Sequence, residues 1–414
     1  MGRGWKAGRK VSRWILGAGL RLRAGGFRLK SKMTDLEQIL PLWHALRASG
    51  TEYVLATVVA VEGSGYRKPG AQMLIGADGR RAGTISGGCL EGEVARKAFW
   101  HTEQGPLVRR YSTRAEDGEV PYGMGCGGVV QLLLERSRTA ERFLEHLEAG
   151  FEARTPLAVA TVLEGGALGE RAYFPAGQAG GAGETTLARL AEAGFGQQRG
   201  FHEPLRLESG ATAAVRVEWY AARPGLHIFG AGDDVLPVAR MARQLGWYVR
   251  VADGRSNLAT AARFPMADAV WTLPSGKISV SGLCPTDAAV LMTHSLDQDQ
   301  RVLQALLCRE IGCQIGYVGV LGPARRTREM VEAIVADGGL TGPAAAAQTD
   351  AWMQGLHAPM GLELGGETPA SIALEVMAEI QRALRGGSGR ALREVRGDGQ
   401  ADSAAGQGVF APQG

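Results

Sequence analysis

At 414 residues, with 45% apolar and 21% charged side chains, the chain has material for two or three soluble domains. No apolar run reaches the roughly 18 residues that a membrane-spanning helix requires, and five cysteines, an odd number without a secretory signal, point to free thiols in a reducing, cytosolic compartment. The net charge of +4 hides an asymmetry: residues 1–33 hold ten Lys or Arg and no acid, which leaves −6 for the remainder and argues against a nucleic-acid-binding core.

The basic segment 1–33 has one short apolar run, residues 14–20, ending at Arg21 without a small-residue cleavage site. It reads as a disordered extension, or as sequence ahead of a true start at Met33; its arginine-rich, acid-free composition is also that of a transit peptide. Leu36, Ile39, Leu40, Trp43 and Leu46 then recur at helical spacing, predicting a helix over 34–50 that Pro41 bends and Gly50 stops. A Val- and Thr-rich strand follows at 53–61. Residues 71–75 and 81–85 read as a hairpin across Ala77-Asp78-Gly79. Residues 90–100 predict a helix and 129–134 a buried strand. Beyond them the pattern gives a helix at 139–147, a strand at 157–163 and a glycine-rich mobile surface loop over 165–183. A helix near 186–192 precedes strands that reach Trp219, and 221–225 reads as a linker.

From Leu226 the rhythm changes. Strands at 226–229, 248–252, 267–271, 288–293 and 316–321 alternate with helices at 234–245, 297–309 and 324–336, which implies a parallel sheet covered on both faces. The last helix is delimited by Thr368 as N-cap, Pro369 at the first helical position and Gly386 past its end. Residues 386–414 lack periodicity and predict disorder. The expected fold is α/β: an N-terminal α+β domain over 34–222, then a Rossmann-like, doubly wound parallel-sheet domain over 223–385.

Three glycine turns carry the chemistry. Ser86-Gly87-Gly88-Cys89-Leu90-Glu91 and Gly123-Met124-Gly125-Cys126-Gly127-Gly128 each hold one thiol where glycines permit close approach. Cys89 precedes a helix start, which favours its thiolate, while Glu91 and Glu93 act against a second anion there; each cysteine also reads as a small apolar residue filling a tight turn. The third turn, residues 63–70, combines glycine amides, Ser64, Arg67 and Lys68, a set that suits a phosphate or oxyanion. Cys284, Cys308 and Cys313 lack such surroundings and read as structural.

In the second half Gly230-Ala231-Gly232 follows a strand and opens a helix, and Asp253 ends the next strand, the context of a nucleotide-binding βαβ unit. The match is incomplete, because Val235 stands at the third glycine position and Asp233 and Asp234 would repel a diphosphate. His294 lies at the carboxyl end of a sheet strand, where such folds place ligands, and Arg325-Arg326 opens a later helix.

Together these turns resemble the XdhC/CoxI family, accessory proteins of molybdenum hydroxylases such as xanthine dehydrogenase. The resemblance covers roughly residues 34–385, and its pieces include 63–73, 83–92 with the Ser-Gly-Gly-Cys-Leu-Glu turn, 123–128, 228–232, 251–255, Met292-Thr293-His294, 317–322 and 358–362. Family members commonly carry histidine where Asp233 stands, serine where Pro323 stands and an acid where Ser295 stands. The resemblance implies a cytosolic chaperone, more carrier than turnover enzyme, that binds molybdenum cofactor (molybdopterin), supports its sulfuration with a cysteine desulfurase and passes it to an apo molybdenum hydroxylase of the xanthine or aldehyde dehydrogenase type. By the same resemblance Cys89 and Cys126, with Gly87, Gly88, Gly125 and Gly127, stand near the metal or the transferred sulfur, Ser64, Arg67 and Lys68 toward the phosphate, and the chain is a homodimer; the acidic body and the short apolar runs argue against nucleic-acid and membrane partners. Two other readings compete: an NAD(P)-dependent oxidoreductase using Gly230, Gly232, Asp253 and His294, and a sulfurtransferase with Cys89 as persulfide carrier. A structural scaffold leaves the glycine-cysteine turns unexplained.

Overall fold

The computed structural model describes residues 35–63, 67–88, 90–112, 128–165, 168–175, 185–206, 212–273, 278, 280, 282–308 and 315–395. The chain divides into two compact units between Arg223 and Pro224.

The first unit opens with helix α1 (Leu36–Ala48), which runs through Pro41. Strands β1 (Tyr53–Glu62), β2 (Gln72–Gly76) and β3 (Arg81–Gly83) follow, then α2 (Glu91–His101), β4 (Leu107–Ser112), β5 (Val129–Arg136) and α3 (Ser137–Glu152). The five strands form one antiparallel sheet in the order β3-β2-β1-β5-β4. Because successive side chains of a strand point to opposite faces, β1 serves two cores. Tyr53 and Leu55 pack with α1 and α3, whereas Val54, Ala56 and Val58 pack with α2. A second antiparallel sheet, β7-β6-β9-β8, is built from β6 (Leu157–Val162), β7 (Arg171–Phe174), β8 (Phe201–Arg206) and β9 (Thr212–Tyr220). Val159 and Tyr220 face the α1–α3 core, while Ala160, Val215 and Val217 cover α4 (Thr186–Gln197).

Strand β7 corrects the reading of 165–183 as a surface loop. The buried Arg171 guanidinium forms an ion pair with the fully buried Glu135 of β5 and lies 4.3 Å over the Phe143 ring, so a short polar-looking segment is locked into the interior. Residues 166–167 and 176–184 of that stretch lie outside the described residues.

The second unit carries β10 (Gly225–Phe229), α5 (Val235–Gln244), β11 (Tyr248–Asp253), β12 (Ala269–Thr272), β13 (Ala288–Leu291), α6 (Leu296–Leu307), β14 (Tyr317–Val320), α7 (Ala324–Asp337), α8 (Gly342–Gly355) and α9 (Pro369–Arg385). All five strands are parallel, in the order β12-β11-β10-β13-β14. Helices α6, α7 and α8 share a core with Leu291, Val318 and Val320, while α5 and α9 pack on each other and against β11 and β14. The sheet is therefore doubly wound and Rossmann-like, with the order reversing between β10 and β13. Helix α9 begins with a capping box in which Thr368 accepts from the Ser371 amide, and ends at Gly386 in the left-handed conformation. At its far end, Glu379 accepts from Tyr317 (2.7 Å), His357 (2.9 Å) and the Gly361 amide (2.8 Å), fastening the 357–361 segment to β14. The tail expected to be irregular from 386 contains a helical turn at Leu392–Val395; residues 396–414 lie outside the described residues.

Among the described residues, no helix is long and apolar enough to cross a membrane.

Candidate functional site

One edge of the first sheet gathers the glycine turns. Glu62, at the end of β1, pairs with Val129, at the start of β5, and Val129 pairs in turn with Ser112, the last residue of β4. Gly83 ends β3 opposite Met73 near the start of β2. The connections 63–71, 84–90 and 113–128 therefore all leave the sheet on this edge. Of the site residues expected from sequence, Ser64, Cys89, Gly125, Cys126 and Gly127 lie outside the described residues; the flanks of each turn are described.

The turn before Cys89 is built by Glu91. Its Oε1 accepts from Thr84 Oγ1 (2.7 Å), the Ile85 amide (3.2 Å) and the Ser86 amide (2.9 Å). Its Oε2 accepts from Ser86 Oγ (2.5 Å) and the Gly88 amide (3.0 Å), and Ser86 Oγ accepts from the Leu90 amide (3.0 Å). Burial alone would raise this carboxyl, but the hydrogen bonds from Ser86 and Thr84 outweigh it and hold the group down at about 2. Gly88 sits at φ +110°, a conformation open to glycine. Leu90 is fully buried while Gly87 and Gly88 are exposed, so the backbone on either side of Cys89 passes from solvent to core. The sequence gives Glu91 only as a charge opposing a thiolate; its first role is to shape the loop. The signal for that role is an acid in a first helical turn preceded by hydroxyls and glycines. Glu93 instead pairs with Lys97 at 3.1 Å.

Arg67, expected to face an anionic group, is ion-paired with Asp35 at the start of α1. Burial lowers its pKa and the charge of Glu91 raises it, which brings the 63–70 turn into electrostatic range of the Ser86–Gly88 turn. Its Nε is buried without a partner, and Lys68 beside it is exposed. This edge thus offers an unfilled guanidinium donor and a second cation, chemistry that fits a phosphate-bearing cargo.

In the second unit the structure brings Gly230, Gly232, Asp253 and His294 together at the carboxyl ends of the parallel strands. Gly230, at φ +137°, has no room for a side chain: a Cβ would stand 2.4 Å from the Met292 carbonyl oxygen. Asp253 does not act as the free ribose-binding acid expected from the fingerprint. Its Oδ2 accepts from the Ala231 amide and Arg255 Nη2 (2.8 Å each), and its Oδ1 from the Arg255 amide (2.8 Å) and Nε (3.1 Å). Two carboxylate oxygens with two bonds each are saturated. The Ala231 amide, one donor that a diphosphate would use, is already taken. His294 is largely exposed, with Nε2 3.9 Å from Asp234 Oδ1. Arg326 is held by the buried Asp299 (2.7 Å), and Arg325 is exposed. Cys284 donates its amide to Asp287, the buried partner of His227, and Cys308 is exposed. Among the described residues, no group of three or more His, Cys, Asp or Glu is placed to hold a metal ion.

Comparison with known proteins agrees with this geometry. The family model described as XdhC Rossmann domain matches residues 226–380, and the one described as XdhC and CoxI family matches residues 46–112. A Bacillus subtilis (strain 168) protein, described as a probable xanthine dehydrogenase subunit, is 31% identical over 350 residues, covering 81% of this chain and 94% of its own. The Escherichia coli (strain K12) molybdenum cofactor insertion chaperone PaoD is 35% identical over 118 residues, 26% of this chain and 34% of its own length. A crystal structure of a xanthine dehydrogenase from Bacillus halodurans superposes with a TM-score of 0.65 at 26% identity, covering 88% of this chain and 97% of that one.

Proposed function

The chain belongs to the XdhC and CoxI family, and from that premise we propose that it is a molybdenum cofactor insertion chaperone for a xanthine dehydrogenase-type hydroxylase. Molybdopterin is its cargo. In this reading the carrier shelters the cofactor while a cysteine desulfurase supplies the terminal sulfur, acts as a homodimer, and delivers the cargo to the apo-enzyme in the cytoplasm. The observation that carries it is the convergence of the flanks of all three glycine turns on one sheet edge. Cys89 and Cys126 supply soft thiol contacts for an oxidised metal and its sulfur, and Arg67 and Lys68 take the phosphate. The turn-building role of Glu91 supports the assignment, because it fixes the Ser86 and Gly88 amides on the flank of Cys89. The saturated Asp253 weighs against a nicotinamide-dependent oxidoreductase.

Purification from a molybdenum-replete host, followed by metal analysis and release of the fluorescent oxidised pterin, tests the reading. Wild-type chain is expected to retain both, and Cys89→Ala to retain less. Equal molybdenum in variant and wild type after gel filtration would remove the thiol from the mechanism, and absence of pterin from both would remove the cargo.

A further inference from the structure

The crevice of the second unit holds two unpartnered polar atoms that the cargo reading does not use. Gln298, in the first turn of α6, is 8% exposed, and its Nε2 is buried without a hydrogen-bond partner. Its amide lies over Gly254: a Cβ there would stand 2.9 Å from Gln298 Oε1. On the neighbouring turn, Asp234 Oδ1 is likewise buried without a hydrogen bond, packed over Gly232 and 3.9 Å from His294 Nε2. The Arg255 guanidinium feels the Asp234 charge, so the two turns share one electrostatic neighbourhood. Buried polar groups in native proteins are as a rule paired, and orphans call for a missing partner.

Charge narrows what that partner is. Asp233 pairs with Arg263, Asp253 with Arg255 and Asp299 with Arg326. These three pairs leave one carboxylate oxygen on Asp234, one amide N–H on Gln298 and the Nε of Arg263 as unmatched functions. A diphosphate meets carboxylates at the start of α5 and finds the Ala231 amide occupied. The unmatched functions instead suit an uncharged ring that offers donors to Asp234 and an acceptor to Gln298. The position, outside the carboxyl ends of β10 and β13 where the strand order reverses, is where open α/β sheets bind ligands.

We infer that this crevice binds a planar, uncharged heterocycle through a 2-amino-4-oxopyrimidine edge, the edge shared by guanine nucleosides and pterins. The ring N–H and exocyclic amine donate to Asp234, the oxo group accepts from Gln298 Nε2, and the exposed His294 ring lies against the mouth. In its pterin form the inference rests on the cargo reading, because molybdopterin carries this edge; in its guanine form it stands apart from that reading.

Calorimetric titration of the full chain with guanosine, neopterin, adenosine and NAD tests it. At least one of the first two is expected to bind at least roughly tenfold more tightly than adenosine or NAD, and which one binds identifies the source. Gln298→Leu and Asp234→Asn are each expected to weaken that binding about tenfold, the loss of one well-made hydrogen bond. Asp234→Asn exchanges a partly exposed group with no hydrogen bond, so it keeps the test alive if Gln298→Leu does not fold. Adenosine or NAD binding as tightly as guanosine and neopterin overturns the inference. So does silence of both oxo-ring probes at millimolar concentration, or unchanged binding in both variants. Molybdenum content is read on the same samples: a chain that retains its metal yet ignores both probes sinks this inference alone.

Discussion

Glu91 in the first unit and Asp253 in the second use one device, a carboxylate that collects backbone N–H groups to close a glycine turn. They end in opposite electrical states. Glu91 is held by amides and hydroxyls, all neutral donors, and keeps its full negative charge beside exposed glycines. Asp253 is fully buried and its charge is answered by a bidentate Arg255. The first turn therefore stays open and charged, and an anion arriving there depends on Arg67 and Lys68 for counter-charge. The second turn is closed, and the crevice beside it presents Asp234 as a carboxylate that no hydrogen bond answers, which disfavours anions.

The largest expected effect sharpens the contrast between closed and open. Gly230→Ala forces a methyl group to within 2.4 Å of the Met292 carbonyl oxygen at a left-handed φ, and is expected to cost about 3–5 kcal/mol or to prevent folding. Gly88→Ala meets no atom within 4 Å, so only backbone strain remains, about 1 kcal/mol. Urea unfolding of the two variants measures the gap. Equal losses would mean that the second turn is not packed shut against the segment after β13.

The two carboxylates come next. Asp253→Ala strands the Ala231 amide in a fully buried position and is expected to cost about 3 kcal/mol. Glu91→Ala releases more donors but leaves them where water reaches Gly87 and Gly88, so about 2 kcal/mol is expected. Acid titration separates charge from shape. The Glu91 carboxyl lies at about 2 in the folded chain against an ordinary 4.5. A depressed carboxyl stabilises fully above its unfolded value and loses that contribution as pH falls through the folded one. Wild-type stability is therefore expected to decline from about pH 4.5 toward 2, and Glu91→Gln to flatten part of the decline. Glu379, also held at about 2, titrates in the same window and accounts for a share that Glu91→Gln leaves in place. An unflattened curve would show that Glu91 is not the anion that closes its turn.

The sequence exposed what depends on local pattern. The apolar run of β1, the Asp78-Gly79 hairpin, the parallel rhythm after Leu226 and the Thr368–Gly386 limits of α9 all follow from spacing and turn chemistry within a few residues. Strand β4 is hidden in the sequence because Arg109 and Arg110 interrupt the alternation of an edge strand whose outer side faces solvent. Strand β7 is hidden because its anchor, Glu135, lies 36 residues upstream of Arg171. Helix α8 buries only Thr349 and Trp352, too little for a period to show. At the candidate site, glycines and thiols were legible as composition. The roles of Glu91 and Asp253 were not, because a carboxylate near a turn reads the same whether it meets a ligand or the turn's own amides, and only the direction of those amides decides.

The smallest effect on stability concerns Arg67, a cation of the open turn that is paired with an acid. Arg67 is proposed to meet the cargo phosphate, yet its guanidinium is paired with Asp35, a residue that starts α1 without capping it. Both side chains are about a quarter exposed, 24% and 23%, so the pair contributes little, about 0.5–1 kcal/mol. Asp35→Asn should barely move the unfolding midpoint while freeing Arg67, and the affinity of the full chain for inorganic phosphate is expected to rise severalfold. The gain should shrink at high salt, where exposed charges are screened, and vanish in the double variant Asp35→Asn, Arg67→Met. If Asp35→Asn binds phosphate no better than wild type, Arg67 belongs to the framework of the turn, and Lys68 alone is left as the counter-charge for an anion at this edge.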